Sequence, residues 1–110
     1  MYGHMTPLLK SFSALSDETR MAIVEQLMEH GELPAGDLVR GSGITAPAVS
    51  RHLKVLREAG LVAQRADGTR RLYSARPQGL QLIADWTLSR QSFWQSSLDR
   101  LEAALTEELE

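Results

Sequence analysis

The chain has 110 residues, 43% hydrophobic and 24% charged, with a net charge of −2, three histidines and no cysteine. That length fits one domain, and the missing cysteine excludes disulfides, thiolate catalysis and every cysteine-based metal or redox site. No apolar run approaches the roughly 18 residues of a membrane span and the start lacks a signal-peptide profile, so a soluble, cytoplasmic chain with no membrane partner is expected.

The modest net charge hides a segregation. Residues 1–39 hold two basic and six acidic side chains, residues 40–76 eight and two, and residues 77–110 two and six. A basic middle between acidic flanks points to one surface built to meet phosphate.

In chain order, residues 1–5, with Gly3-His4-Met5, read as a tag remnant or disordered start, which leaves 6–110 as the domain. Thr6 to Ala14 puts Leu8, Leu9 and Phe12 on one face of a short helix. Ser16 is expected to cap a second helix over 17–30, with Asp17 and Glu18 at its positive end and Gly31 as its stop. Ile23, Val24, Leu27 and Met28 recur on that helix at three- and four-residue spacing. Pro34 opens a third helix with Leu38 and Val39 inward, closed by Gly41-Ser42-Gly43. Thr45 caps the next, which tolerates Pro47 in its first turn and runs to Ala59. These two helices, joined by a tight glycine-containing turn, predict a helix-turn-helix.

Leu61–Arg65 and Arg70–Ser74 then flank Ala66-Asp67-Gly68-Thr69, where Asp-Gly between strand-like runs predicts a hairpin. From Pro77 to Glu108 the period is helical again, with Leu80, Ile83, Trp86, Phe93, Trp94, Leu98, Leu101 and Leu105 along one broad stripe. Such a helix is roughly 45 Å long, more than a domain this small can cover, so a partner must bury part of it. The expected fold is mainly α with a small β-hairpin: a winged helix-turn-helix of about five helices and a two-stranded wing, its terminal helix (77–108) serving dimerisation.

On the helix 45–59, Ala46, Pro47, Ser50, Arg51, Lys54, Arg57 and Glu58 share one arc, while Ala48, Val49, His52, Leu53, Val55, Leu56 and Ala59 occupy the rest. The outer arc has small residues at its N-terminal end and cations behind them, which suits close approach to base edges and contact with phosphate. Arg65, Arg70 and Arg71 lie on or beside the hairpin tip, placed for the phosphate backbone or a minor groove.

Phe12-Ser13-Ala14-Leu15-Ser16-Asp17-Glu18-Thr19-Arg20, the run Ala48-Val49-Ser50-Arg51-His52-Leu53-Lys54-Val55-Leu56-Arg57-Glu58-Ala59-Gly60-Leu61-Val62 and Gly68-Thr69-Arg70-Arg71-Leu72-Tyr73 together resemble the signatures of ArsR/SmtB-type winged-helix repressors. The resemblance covers residues 8–105 and implies a homodimeric DNA-binding regulator, usually a repressor released by a ligand. It implies that Thr45, Ala46, Pro47, Ser50 and Arg51 face the major groove and that Arg70 and Arg71 belong to the wing; Lys54 joins them by its helix angle.

Two departures separate this chain from metal-sensing members. Pro34 and Gly36 of Glu32-Leu33-Pro34-Ala35-Gly36-Asp37-Leu38 stand where that family's thiolates would be. On the terminal helix Asp85 is followed two residues on by Thr87, and residues 88–110 hold no histidine. No metal site and no cofactor are expected.

His52 falls on the apolar side of its helix and reads as a hydrogen-bonded structural histidine, and His30 suits the negative end of the second helix. Ser50 has no His/Asp arrangement around it, Asp85 and Asp99 read as solvated or paired with Arg90 and Arg100, and no phosphate-cradling loop occurs, so no enzyme is expected. Leu8, Leu9, Phe12, Ile83, Trp86, Phe93, Trp94, Leu98 and Leu101 are the expected dimer interface. The expected function is a dimeric, sequence-specific, DNA-binding transcriptional regulator, a repressor on a pseudo-palindromic operator of the nucleoid. Its partners are double-stranded DNA, a second copy and an unidentified small-molecule effector. A winged-helix module serving protein–protein contact is the alternative; the cation-rich face argues against it.

Overall fold

The computed structural model describes residues 6–109, so the expectation for residues 1–5 lies outside the described residues. Five helices and three short strands follow in the order α1 (Thr6–Leu15), α2 (Glu18–His30), β1 (Leu33–Pro34), α3 (Ala35–Arg40), α4 (Ala46–Glu58), β2 (Val62–Asp67), β3 (Arg70–Ala75) and α5 (Pro77–Leu109). The mainly helical winged helix-turn-helix is therefore as the periodicity predicts.

Local chemistry sets the boundaries. Thr45 caps α4, its hydroxyl accepting from the Ala48 N–H at 3.3 Å. The cap of α2 is Asp17, not Ser16: the Asp17 carboxylate accepts the Arg20 N–H at 3.0 Å, while the Ser16 hydroxyl turns back to the Ser13 carbonyl at 2.6 Å. Ser16 sits one residue too early, where the last turn of α1 supplies a closer acceptor. The capped N–H holds the Asp17 carboxyl below the usual aspartate range.

The hairpin tip is one residue later than the Asp-Gly pair suggests. Asp67 pairs with Arg70, leaving Gly68-Thr69 as the two-residue loop, with Gly68 at φ +64°. The sheet also has a third strand beyond the expected two: β1 pairs antiparallel with β3, Leu33 opposite Tyr73 and Pro34 opposite Leu72. A two-residue strand has no period to detect, and proline at an edge needs no ladder donor.

Ile23, Val24 and Leu27 of α2, Leu38 of α3, Val49, Leu53 and Leu56 of α4, and Leu61, Val62 and Tyr73 of the wing form one buried core. The core fixes α4 from behind and leaves its outer arc in solvent. Val55, expected on the inner side, is 39% exposed because it sits at the margin of that packed face.

The end of α4 and the start of α5 are bonded directly. The Gly79 N–H donates to the Gly60 carbonyl at 3.0 Å, and the Arg76 N–H to the Leu61 carbonyl at 2.9 Å. A Cβ at Gly79 would lie 2.8 Å from Leu61 Cδ2, 2.9 Å from the Ala59 carbonyl and 3.0 Å from that of Gly60. Two of those neighbours are backbone and cannot step aside. Gly79→Ala is expected to destabilise the fold by about 1–3 kcal/mol, read from a denaturant midpoint; an unchanged midpoint would show that α5 shifts freely.

Beyond this junction α5 packs along α1 as far as Trp86, which meets Phe12, and then runs on into solvent. Gly79 is its one buried residue among those described, and its 33 residues span about 50 Å. The radius of gyration is 19.5 Å, against roughly 13 Å for a compact chain of this length.

Candidate nucleic-acid interface

Every residue of the predicted outer arc of α4 is exposed: Ala46, Pro47, Ser50, Arg51, Lys54, Arg57 and Glu58. Arg70 and Arg71 are exposed on β3, beside the Gly68-Thr69 tip. Among the described residues, Arg51, Lys54, Arg70 and Arg71 have no carboxylate within 4.0 Å. Their charge is available to phosphate.

Two expected cations are engaged elsewhere. Arg65 forms a bidentate pair with Glu32, both N–O distances 2.7 Å, which ties β2 to the segment before β1. Of the three arginines expected on or beside the hairpin tip, Arg65 is thus the one already paired with a carboxylate. Arg57 donates to Gln64, whose amide donates to the Tyr73 hydroxyl at 2.7 Å, so it braces the wing against α4. The Arg65 guanidinium holds the Glu32 carboxyl below the usual glutamate range, and Glu32 raises Arg65 in turn. A depressed carboxyl contributes stability above its unfolded pKa and loses it as pH falls through the folded value. The pair is thus expected to persist through neutral pH and to open only below the ordinary glutamate range. A carbon-detected NMR titration of Glu32 checks this, and a midpoint at or above the ordinary value would contradict it.

His52 is half-buried against α2, and its role is structural as the helix angle indicates. Arginine can only donate, so at 3.3 Å the Arg20 guanidinium gives its hydrogen to His52 Nδ1. The same guanidinium donates to the carbonyls of Ala14 at 2.7 Å and Ser13 at 3.3 Å. One side chain therefore joins α1, α2 and α4. Asp17 lies 3.9 Å from the same His52 nitrogen.

The residues expected at a dimer interface lie on α1 and α5. Leu8 and Ile83 are half-buried within the chain, while Leu9, Phe12, Trp86, Phe93, Trp94, Leu98 and Leu101 are exposed. Phe12 and Trp86 meet edge to face at 5.7 Å, joining α1 and α5 into one apolar surface. Arg90 lies over the Trp86 ring at 5.5 Å, Asp85 accepts from Gln81 at 2.7 Å and Asp99 from Gln95 at 3.0 Å. The two aspartates thus take glutamine partners one turn earlier, in place of Arg90 and Arg100.

The family described as "Bacterial regulatory protein, arsR family" matches residues 17–64, from the cap of α2 into β2. The HTH-type transcriptional regulator Rv2034 of Mycobacterium tuberculosis is 50% identical over 74 residues, which cover 67% of this chain and 68% of that protein. The chain belongs to the arsR family of bacterial regulatory proteins. The transcriptional repressor SdpR of Bacillus subtilis is 33% identical to this arsR-family chain over 78 residues, 71% of this chain and 86% of the other. An ArsR-like transcriptional regulator from Rhodococcus sp. RHA1 superimposes with a TM-score of 0.81 at 26% identity, covering 97% of each chain. The arsR-family chain is accordingly a winged helix-turn-helix, DNA-binding transcriptional regulator and not an enzyme. Among its described residues no helix is long and apolar enough to cross a membrane.

Proposed function

We propose that the protein is a homodimeric repressor that reads a pseudo-palindromic operator and answers to no metal ion. The observation that carries this is the outer arc of α4: small residues Ala46, Pro47 and Ser50 at the tip, then Arg51 and Lys54 without carboxylate partners, on a helix fixed by a buried inner face. Thr45, Ala46, Pro47, Ser50, Arg51 and Lys54 enter the major groove, and Arg70 and Arg71 grip the flanking backbone. The exposed stripe of α5, with Leu9 and Phe12, supplies the self-complementary apolar surface that a two-fold dimer needs. The repressor relative SdpR supports the direction of regulation. The protein acts in the cytoplasm, on the nucleoid.

Selection of bound duplexes from a fragmented genome tests the reading. The expected product is an inverted repeat with half-site centres one helical turn, or a multiple of it, apart. Failure to enrich any sequence, together with salt-independent retention on heparin, would favour a protein-binding module instead. Zinc, nickel, cadmium and arsenite are each expected to leave DNA affinity unchanged, since the chain has no cysteine and Pro34 and Gly36 offer no ligand atom on their side chains. A stoichiometric metal ion that lowers DNA affinity would overturn that part.

A further inference from the structure

Two cavities meet at the N-terminal end of α3. The inner one, about 460 Å³, lies between α3, α4 and the wing, with Val39, Val49, Leu53 and Tyr73 in its walls. The outer one, about 520 Å³, lies between α3 and the hairpin tip and is lined by Arg40, Arg70 and Arg71. Ala35, Gly36 and Arg71 belong to both, so the two form one cleft with an apolar end and a cationic end. Its size falls within the range of small-molecule sites, which are typically apolar with a few convergent polar groups.

The charge at the junction is specific. Arg40 is paired with Asp37, whereas Arg71 has no carboxylate partner among the described residues and stands where the apolar end opens into the cationic one. We infer that this cleft binds a small carboxylic acid with a compact aromatic body, its carboxylate on the Arg71 guanidinium and its ring between α3 and α4. A planar carboxylate suits the guanidinium fork. A single negative charge also suits a mouth that carries the Asp37 carboxylate, which a dianion would meet with greater repulsion.

Occupancy has a consequence that rests on the DNA-binding reading above. Ala46, Ser50 and Arg71 line the cleft and belong to the surface assigned to DNA. Acid and operator then compete for Arg71, and the acid acts as an inducer.

Gly36 provides the test. A Cβ there would meet only Arg40 Nη1, at 3.5 Å, and its φ is not positive, so a side chain is tolerated by the fold and projects at the wall common to both cavities. The probe is 2-naphthoate, titrated calorimetrically into the full chain, with neutral 2-naphthamide as the charge control. Expected results are one saturable site per chain, amide affinity at least about tenfold weaker, and a loss of at least about tenfold in Gly36→Leu at an unchanged melting temperature. In the unmodified protein, backbone amide shifts on naphthoate addition should centre on Gly36, Val39 and Ser50. That map locates the site even if Gly36→Leu folds poorly. The inference falls if no saturable binding occurs at millimolar naphthoate, if acid and amide bind alike, if folded Gly36→Leu binds unchanged, or if the shifts gather on α5. Duplex retention measured without naphthoate reports separately on the DNA reading: naphthoate bound at Gly36 by a protein that ignores DNA keeps the cleft and removes the competition.

Discussion

Leu98→Asp combined with Leu101→Asp is expected to leave a folded monomer that has lost its hold on operator DNA. The two leucines are 57% and 56% exposed in the single chain, so the substitutions cost the protomer little. In a dimer that buries α5 against its mate, four carboxylates would enter an apolar seam without partners. Burying an unpaired charge costs several kcal/mol, so the dimer dissociation constant should rise by at least about 100-fold. Sedimentation at tens of micromolar should show a dimer for the unmodified chain and a monomer for the variant, with far-ultraviolet circular dichroism retained over α1 to β3. Operator affinity should collapse as well, because each monomer keeps a single recognition helix and reaches one half-site. A monomeric unmodified chain, or a variant that stays dimeric, would remove α5 as the interface.

The two basic elements are expected to fail in different ways. Arg51 is exposed on the outer arc of α4, one helical residue behind Ser50, within reach of base edges. Arg51→Ala should cost about 1–3 kcal/mol on the operator and relax preference at the base it reads. Arg70 and Arg71 lie at the start of β3, where a projecting hairpin meets backbone. Replacing either by alanine should weaken operator and scrambled duplexes nearly alike. It should also flatten the slope of log affinity against log salt by about one unit for each phosphate left unneutralised in each half-site. Titrations of both duplexes at several salt concentrations decide the matter. If Arg51→Ala weakens them equally and the wing variants abolish discrimination, specificity lies on the wing.

How much of the fold is legible in the sequence follows from range. Helix periods, the Thr45 cap and the outer arc of α4 are local patterns of three to five residues and are found where those patterns put them. The exceptions are Val55 and Met28, which fall just outside the packed faces, whose margins only tertiary packing sets. The cap of α2 falls one position beyond the expected one because Ser16 and Asp17 are both good caps, and only the preceding turn of α1 decides between them. Pairings between distant segments leave no local trace. Arg65 and Glu32 are 33 positions apart, and nothing nearby distinguishes Arg65 from its neighbours on the hairpin. Likewise Leu33-Pro34 becomes a strand only because β3 presents an open edge to it. The cleft at Gly36 belongs to the same class, since its walls come from three separate elements.

If two copies join through α5, the bonded junction between α4 and α5 makes the pair a set of calipers. In a dimer held by α5, each arm continues through Gly79 and Gly60 into a recognition helix, with no flexible linker between them. The gap between the two tips is then a property of how the long helices cross, because each recognition helix is bonded to the base of its α5 and turns with it. B-form DNA offers its major grooves at a fixed repeat of about 34–36 Å on one face. Operators with one base pair added or removed between the half-sites should therefore be rejected even when every contacted base is right, because the instrument measures distance before it reads letters.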